Sequence, residues 1–134
     1  MKYFALCFLL LCAFAGSAWA DTPTIERRIA VLRAIDKVTG RVAEFQVEKG
    51  ELTKFGAIFI TVKSCRVTSP DQAPESAAFL DVSEFKREQQ QQVTVFSGWM
   101  FASSPALSAM DHPVYDLWLI GCRQKVDPKK KSES

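Results

Sequence analysis

The chain contains one histidine, His112, no pair of cysteines at the short spacing that holds zinc, and no Gly-x-Ser-x-Gly elbow. One imidazole and two usable cysteines are too few ligands for a tetrahedral metal site, so no metal and no cofactor is expected. Without the elbow there is no strained turn of the kind on which α/β-hydrolases expose a nucleophilic serine. An excess of one charge sign is also missing, since 17 basic side chains stand against 15 acidic ones for a formal net charge of +2. Such a balance gives no field able to gather nucleic acid, and no nucleic-acid partner is expected. Beyond the first twenty residues no apolar run is long enough to cross a bilayer, because Lys63, Asp81 and Asp116 interrupt the candidates.

The first twenty residues read as an export leader. Lys2 supplies the positive start, Tyr3 to Ala15 form a nearly unbroken apolar run, and Ala18-Trp19-Ala20 offers the small residues that a signal peptidase requires. Cleavage after Ala20 would place Asp21 first, outside the cytoplasm. Lipid attachment at Cys12 needs a small residue before the cysteine, and Leu11 stands there instead. Removing the leader leaves 114 of 134 residues, the size of one domain over 21–126, followed by a disordered basic tail at 127–134 with Lys129, Lys130 and Lys131. Cys7 and Cys12 leave with the leader. Cys65 and Cys122 then remain alone in an oxidising compartment and are expected to form one disulfide. By the chain-entropy model, a loop of this length is worth roughly 4 kcal/mol.

From Ile29 onward the pattern is one of short strands and turns. Ala43, Phe45 and Val47 alternate with Glu44, Gln46 and Glu48, the period-two signature of a strand with one wet face. Ile29 to Asp36 also fits a helix, but the turn at Gly40 favours a hairpin partner and hence a strand. In Ala57 to Thr68, Ile58, Ile60 and Val62 share one parity, whereas Cys65 and Val67 take the other. A shift by one residue predicts a bulge near Lys63-Ser64. Ala78, Leu80 and Val82 mark another strand to Phe85, and Lys86 to Gln92, with four consecutive glutamines, reads as a protruding hairpin loop.

Val93 to Ala102 is apolar on both parities, with Val95, Trp99 and Phe101 on one and Phe96 and Met100 on the other. Such a strand lies between two layers or shows an apolar patch to a partner. Ser104-Pro105 reads as a helix start with Ser104 as cap, Ala106 to Met110 as about one turn, and His112-Pro113 as its end. Val114 to Cys122 is the last strand. Six or seven strands and one helical turn predict an all-β fold, a small β-sandwich or partly open barrel stapled by the disulfide.

The run Phe96-Ser97-Gly98-Trp99-Met100-Phe101-Ala102-Ser103-Ser104-Pro105-Ala106-Leu107, then His112-Pro113-Val114-Tyr115-Asp116 and Cys122, resembles the signature of a family of exported alphaproteobacterial proteins classed as a domain of unknown function. Leu32, Asp36-Lys37, Thr39, Phe55-Gly56, Cys65 and Pro74 through Leu80 extend the resemblance over nearly the whole chain after the leader. It implies a periplasmic location and a domain type, and it carries no catalytic residue.

Two functional readings compete. Ser103 or Ser104 with His112 and Asp116 supplies the types needed for nucleophile, base and orienting acid, the reading of a small periplasmic hydrolase. The structural alternative makes Ser104 a cap, His112 a helix end, and Asp116 a hydrogen-bonded carboxylate, for instance to Arg66. If Asp116 shares an inward face with Trp118, Ile120 and Cys122, its charge must be paired. The other reading takes Trp99, Met100, Phe101, Tyr115 and Trp118 as a surface for an envelope protein, since aromatic and flexible apolar side chains dominate interfaces. A non-enzymatic binding or structural module of the cell envelope is the expectation drawn here.

Overall fold

The computed structural model describes Thr22 and residues 24–125. The leader at 1–20, its cut before Asp21, and the tail at 127–134 lie outside the described residues. The strands are β1 (Thr24–Glu26), β2 (Ile29–Asp36), β3 (Val42–Glu48), β4 (Leu52–Phe55), β5 (Ile58–Thr68), β6 (Ser76–Lys86), β7 (Gln91–Phe101) and β8 (Tyr115–Arg123), with one 3-10 turn at Pro105–Ser108. They form two antiparallel sheets. The larger runs β1-β5-β6-β7, with β4 also paired to β5, and the smaller runs β3-β2-β8. The expected sandwich is therefore present, with two further short strands, β1 and β4.

Local chemistry sets the hairpins. At the end of β2, Asp36 Oδ1 accepts from the amides of Val38 (2.9 Å) and Thr39 (3.1 Å), a side-chain turn that sends the chain back as β3. The register Ile29↔Glu48 to Ile35↔Val42 then lays Ala43, Phe45 and Val47 on the inner face. Between the sheets Leu32, Ile58, Ile60, Val62, Leu80, Val82 and Leu119 are fully buried, the payload of the alternation read from the sequence. The polyglutamine segment makes the β6–β7 turn, although Gln91 and Gln92 already belong to β7.

Three bulges interrupt the ladders. On β5 the partners pass from Val62↔Leu80 to Ser64↔Phe79, so Lys63 is the extra residue, where the sequence predicted it. On β8 the partners of Val31 and Leu32 are Gly121 and Leu119, which makes Ile120 extra. On β7 the partners of Val82 and Ser83 are Phe96 and Thr94, which makes Val95 extra. Each bulge moves the residues beyond it to the opposite face. Cys65 thus comes inward after Lys63, and Cys122 comes to it after Ile120. The Cys65–Cys122 disulfide joins the two sheets with Cα atoms 5.7 Å apart.

Gly56 shapes the turn between β4 and β5. Its φ is +56°, and a Cβ there would collide with the Tyr115 ring and hydroxyl. That hydroxyl accepts a hydrogen bond from the Ala57 amide at 2.9 Å, so the ring fits over bare backbone. Gly56→Ala should lower stability by roughly 1–3 kcal/mol through the clash and the left-handed φ; an unchanged urea midpoint would show that Tyr115 does not lie there. Replacing Cys65 and Cys122 together with alanine should cost about 2–5 kcal/mol. A melting temperature equal to that of the wild type under oxidising conditions would show that the bridge does not constrain the chain.

Candidate functional site

The residues of β6 and β7 that do not face the smaller sheet form an outer surface. Phe79 lies opposite Trp99 with ring centroids 5.5 Å apart and planes at 84°, an edge-to-face pair. Next along the strands Ala77 lies opposite Phe101, with Arg66 beside it on β5. Trp99 is 38% exposed. Arg66, Thr68, Glu75, Ala77, Trp99 and Phe101 line an open groove of about 280 Å³, and a second depression of about 340 Å³ continues past Glu75 to Pro74, Ala102 and Ser103.

Sequence reading overlooked a signal that marks this surface. From Gln89 through Met110 there are 22 consecutive residues without one charged side chain, in a chain of which 24% is charged. The run includes the whole of β7, which is the last strand of the larger sheet and, among the described residues, pairs only with β6. Edge strands ordinarily carry charges that keep other chains away.

Glu75 closes one end of the groove. Its Oε1 accepts from the amides of Ser76 (2.8 Å) and Ser103 (3.1 Å), and its other oxygen accepts from the Ser103 hydroxyl. Burial raises the pKa of this carboxyl, but the hydrogen bonds from Ser103, Ser76 and Ala102 outweigh it and hold the group below its usual range. Arg66 does not reach Asp116; it donates to the Thr24 hydroxyl at 3.2 Å.

The proposed nucleophile, base and acid are not brought together. Ser103 is held by Glu75. Ser104 sits at the start of the 3-10 turn, yet its side chain makes no capping hydrogen bond; its carbonyl accepts from the Leu107 amide instead, so the expected cap is corrected. The turn also lies at Pro105–Ser108 and stops short of Met110. Both ring nitrogens of buried His112 are engaged: Nδ1 accepts from the amides of Val114 and Tyr115 (both 3.1 Å), which leaves Nε2 to donate to Glu84 Oε2 at 3.1 Å. A base so occupied cannot take a proton from serine. Asp116 lies on the outer parity of β8 and is half exposed, contrary to the inward placement considered for it, and it pairs with Lys37 Nζ at 3.2 Å. Inward positions on that strand belong to Tyr115, Leu117 and Leu119.

The aromatic block divides. Met100 and Tyr115 are core residues. Trp99 and Phe101 occupy the outer face of the larger sheet, whereas Trp118 belongs to the smaller one and lines a separate groove of about 300 Å³ with Pro105, Ala109 and Asp116. One surface therefore cannot use all five. Among the described residues no three His, Cys, Asp or Glu side chains are grouped to hold a metal ion, and no helix is long and apolar enough to cross a membrane.

The Glu84 carboxyl is held below its usual range first by the hydrogen bond from Lys86, with burial opposing and the bond from His112 adding. A depressed carboxyl favours the folded state fully above the unfolded value of about 4.3 and loses that contribution as pH falls through the lower folded value. Melting temperature should therefore drop on acidification below about pH 4, and Glu84→Gln should flatten this acid limb while lowering stability at neutral pH. An acid limb identical in wild type and variant would show that the His112–Glu84 contact contributes nothing.

No solved structure matches the chain. Among curated proteins, the uncharacterized protein RP359 of Rickettsia prowazekii (strain Madrid E) is 28% identical over 89 residues, covering 66% of this chain and 57% of the relative. The chain thus spans somewhat over half the length of that relative. The matched region of the family described as "Uncharacterized protein conserved in bacteria (DUF2155)" is residues 30–122, which takes in the disulfide, both sheets from β2 onward, the outer groove and the segment with the Phe96–Leu107 signature, and the chain belongs to this family.

Proposed function

We propose that this protein is a non-enzymatic binding module of the bacterial cell envelope, exported with cleavage after Ala20, with a folded unit over 21–126 in the periplasm and a basic tail at 127–134. Its partner is another envelope protein, which docks on the outer face of β6 and β7. The uncharged run from Gln89 to Met110, with Trp99 and Phe101 on an outer sheet face, carries this reading. Covering β7 itself sacrifices no charge hydration, because the charges of the groove, Arg66 and Glu75, stand on its rim, and a half-exposed tryptophan beside a groove is the kind of anchor that dominates interface energetics. The Cys65–Cys122 bridge supports an oxidising compartment. Met100 and Tyr115 act through the core in this reading, and Trp118 belongs to the opposite sheet.

Trp99→Ala should weaken the partner interaction by about 2 kcal/mol, roughly thirtyfold, with little change in the melting curve. Crosslinking from a photoreactive residue at Phe101 in intact cells would be compared between wild type and Trp99→Ala. Loss of one defined crosslinked species in the variant is expected. The same species at equal yield in both, or a cellular role that survives Trp99→Ala but fails on Ser103→Ala with the fold intact, would overturn the proposal.

A further inference from the structure

The chain leaves β7 at Phe101 and re-enters the sheets at Tyr115, at the other end of the sandwich. Between them, the segment 103–112 returns along the molecule fastened at two points. At its start Ser103 donates backbone and side-chain hydrogen bonds to Glu75, just before β6. At its end His112 donates to Glu84, near the end of β6. Both contacts join residues 28 apart in sequence, so the segment runs parallel to β6 and is pinned to that strand's two ends by two carboxylates.

Little else holds the stretch between the pins. None of the residues of the 3-10 turn is buried, and Leu107 is 75% exposed. Its internal bonds are short-range, from the Ser104 amide to Phe101 and from the Leu107 amide to Ser104. Apolar burial is confined to Met110, next to the second pin, and there Lys37 Nζ also donates to the His112 carbonyl at 2.8 Å. A segment with few buried contacts and two discrete fastenings is the kind of unit that opens below the global unfolding free energy.

We infer that residues 103–112 form a strap that opens as one unit and is held shut by a glutamate clamp at each end, Glu75 on Ser103 and Glu84 on His112. Release of one clamp unseats the whole strap, because between the clamps Met110 alone is buried. Opening withdraws Met110 from the core and uncovers its seat beside Leu117 and Trp118 of β8. Glu75 is also a wall of the outer groove, so whatever occupies that groove lies against one of the two clamps.

Hydrogen exchange of the full chain, free of any partner, tests the strap independently of the docking proposal. Glu75→Ala removes the bonds at the Ser103 end only. The strap predicts that the Leu107 amide and the Val114 and Tyr115 amides, which donate to His112, exchange roughly tenfold faster, while Leu32 and Val62 in the core keep their rates. Glu84→Ala provides the reciprocal measurement, read at the Ser103 and Leu107 amides, should either variant fold poorly. Faster exchange confined to the end that was altered would show two independent contacts and overturn the inference. Equal acceleration of Leu32 and Val62 would also overturn it, because opening would then be global unfolding.

Discussion

Side chains on a strand alternate between faces, and this domain depends on breaking that alternation. On β5 the buried parity is even until Val62, and Cys65 is odd; on β8 it is odd until Leu119, and Cys122 is even. Without the extra residues Lys63 and Ile120 both sulfurs would point away from the interior. The bulges are thus a geometric precondition for the bridge, and the bridge in turn fixes how the sheets lie across each other where Ala30 and Ala78, small and fully buried, pair with its ends. The third bulge, at Val95, acts the other way: it sends Met100 into the core and commits Trp99 and Phe101 to the outside.

Only one of these breaks could be read in advance, and the reason is local. Around Lys63 the residue types change with the parity, from isoleucine and valine on even positions to cysteine and valine on odd ones. Around Ile120 and Val95 the neighbours Leu117, Trp118 and Leu119, or Phe96 and Trp99, are apolar on both parities, so a shift leaves no trace in the pattern. The same ambiguity leaves the face of Asp116 open in the sequence, because the odd and even sets of β8 are both largely apolar. Strands β1 and β4, three and four residues long, have too few positions to show a period and exist because β5 offers them an edge.

The polar sites were harder to read than the core. His112 was legible as the end of a segment, yet its partner Glu84 stands on an alternating strand where a carboxylate ordinarily meets solvent. Glu75 follows a proline in a loop and gives no local hint that it binds Ser103. Long-range pairing of this kind is set by topology, by the return of the chain after β7 along the length of β6, and no spacing rule reports it. The uncharged run from Gln89 to Met110 needed only counting; its β7 part borders the outer groove and its last residues border the Trp118 groove.

Strands β1 and β4 lie end to end on the same side of β5, and the space between them is sealed by the Gly50 amide on the Val62 carbonyl and the Arg27 amide on the Cys65 carbonyl. The outer edges on that side are only three and four residues long, whereas the border at β7 is one strand of eleven residues that pairs with no further strand among the described residues. A long unbroken edge templates an added strand better than two short edges separated by a gap. An extended segment from another chain would therefore add to this sheet along β7 rather than along β1 or β4.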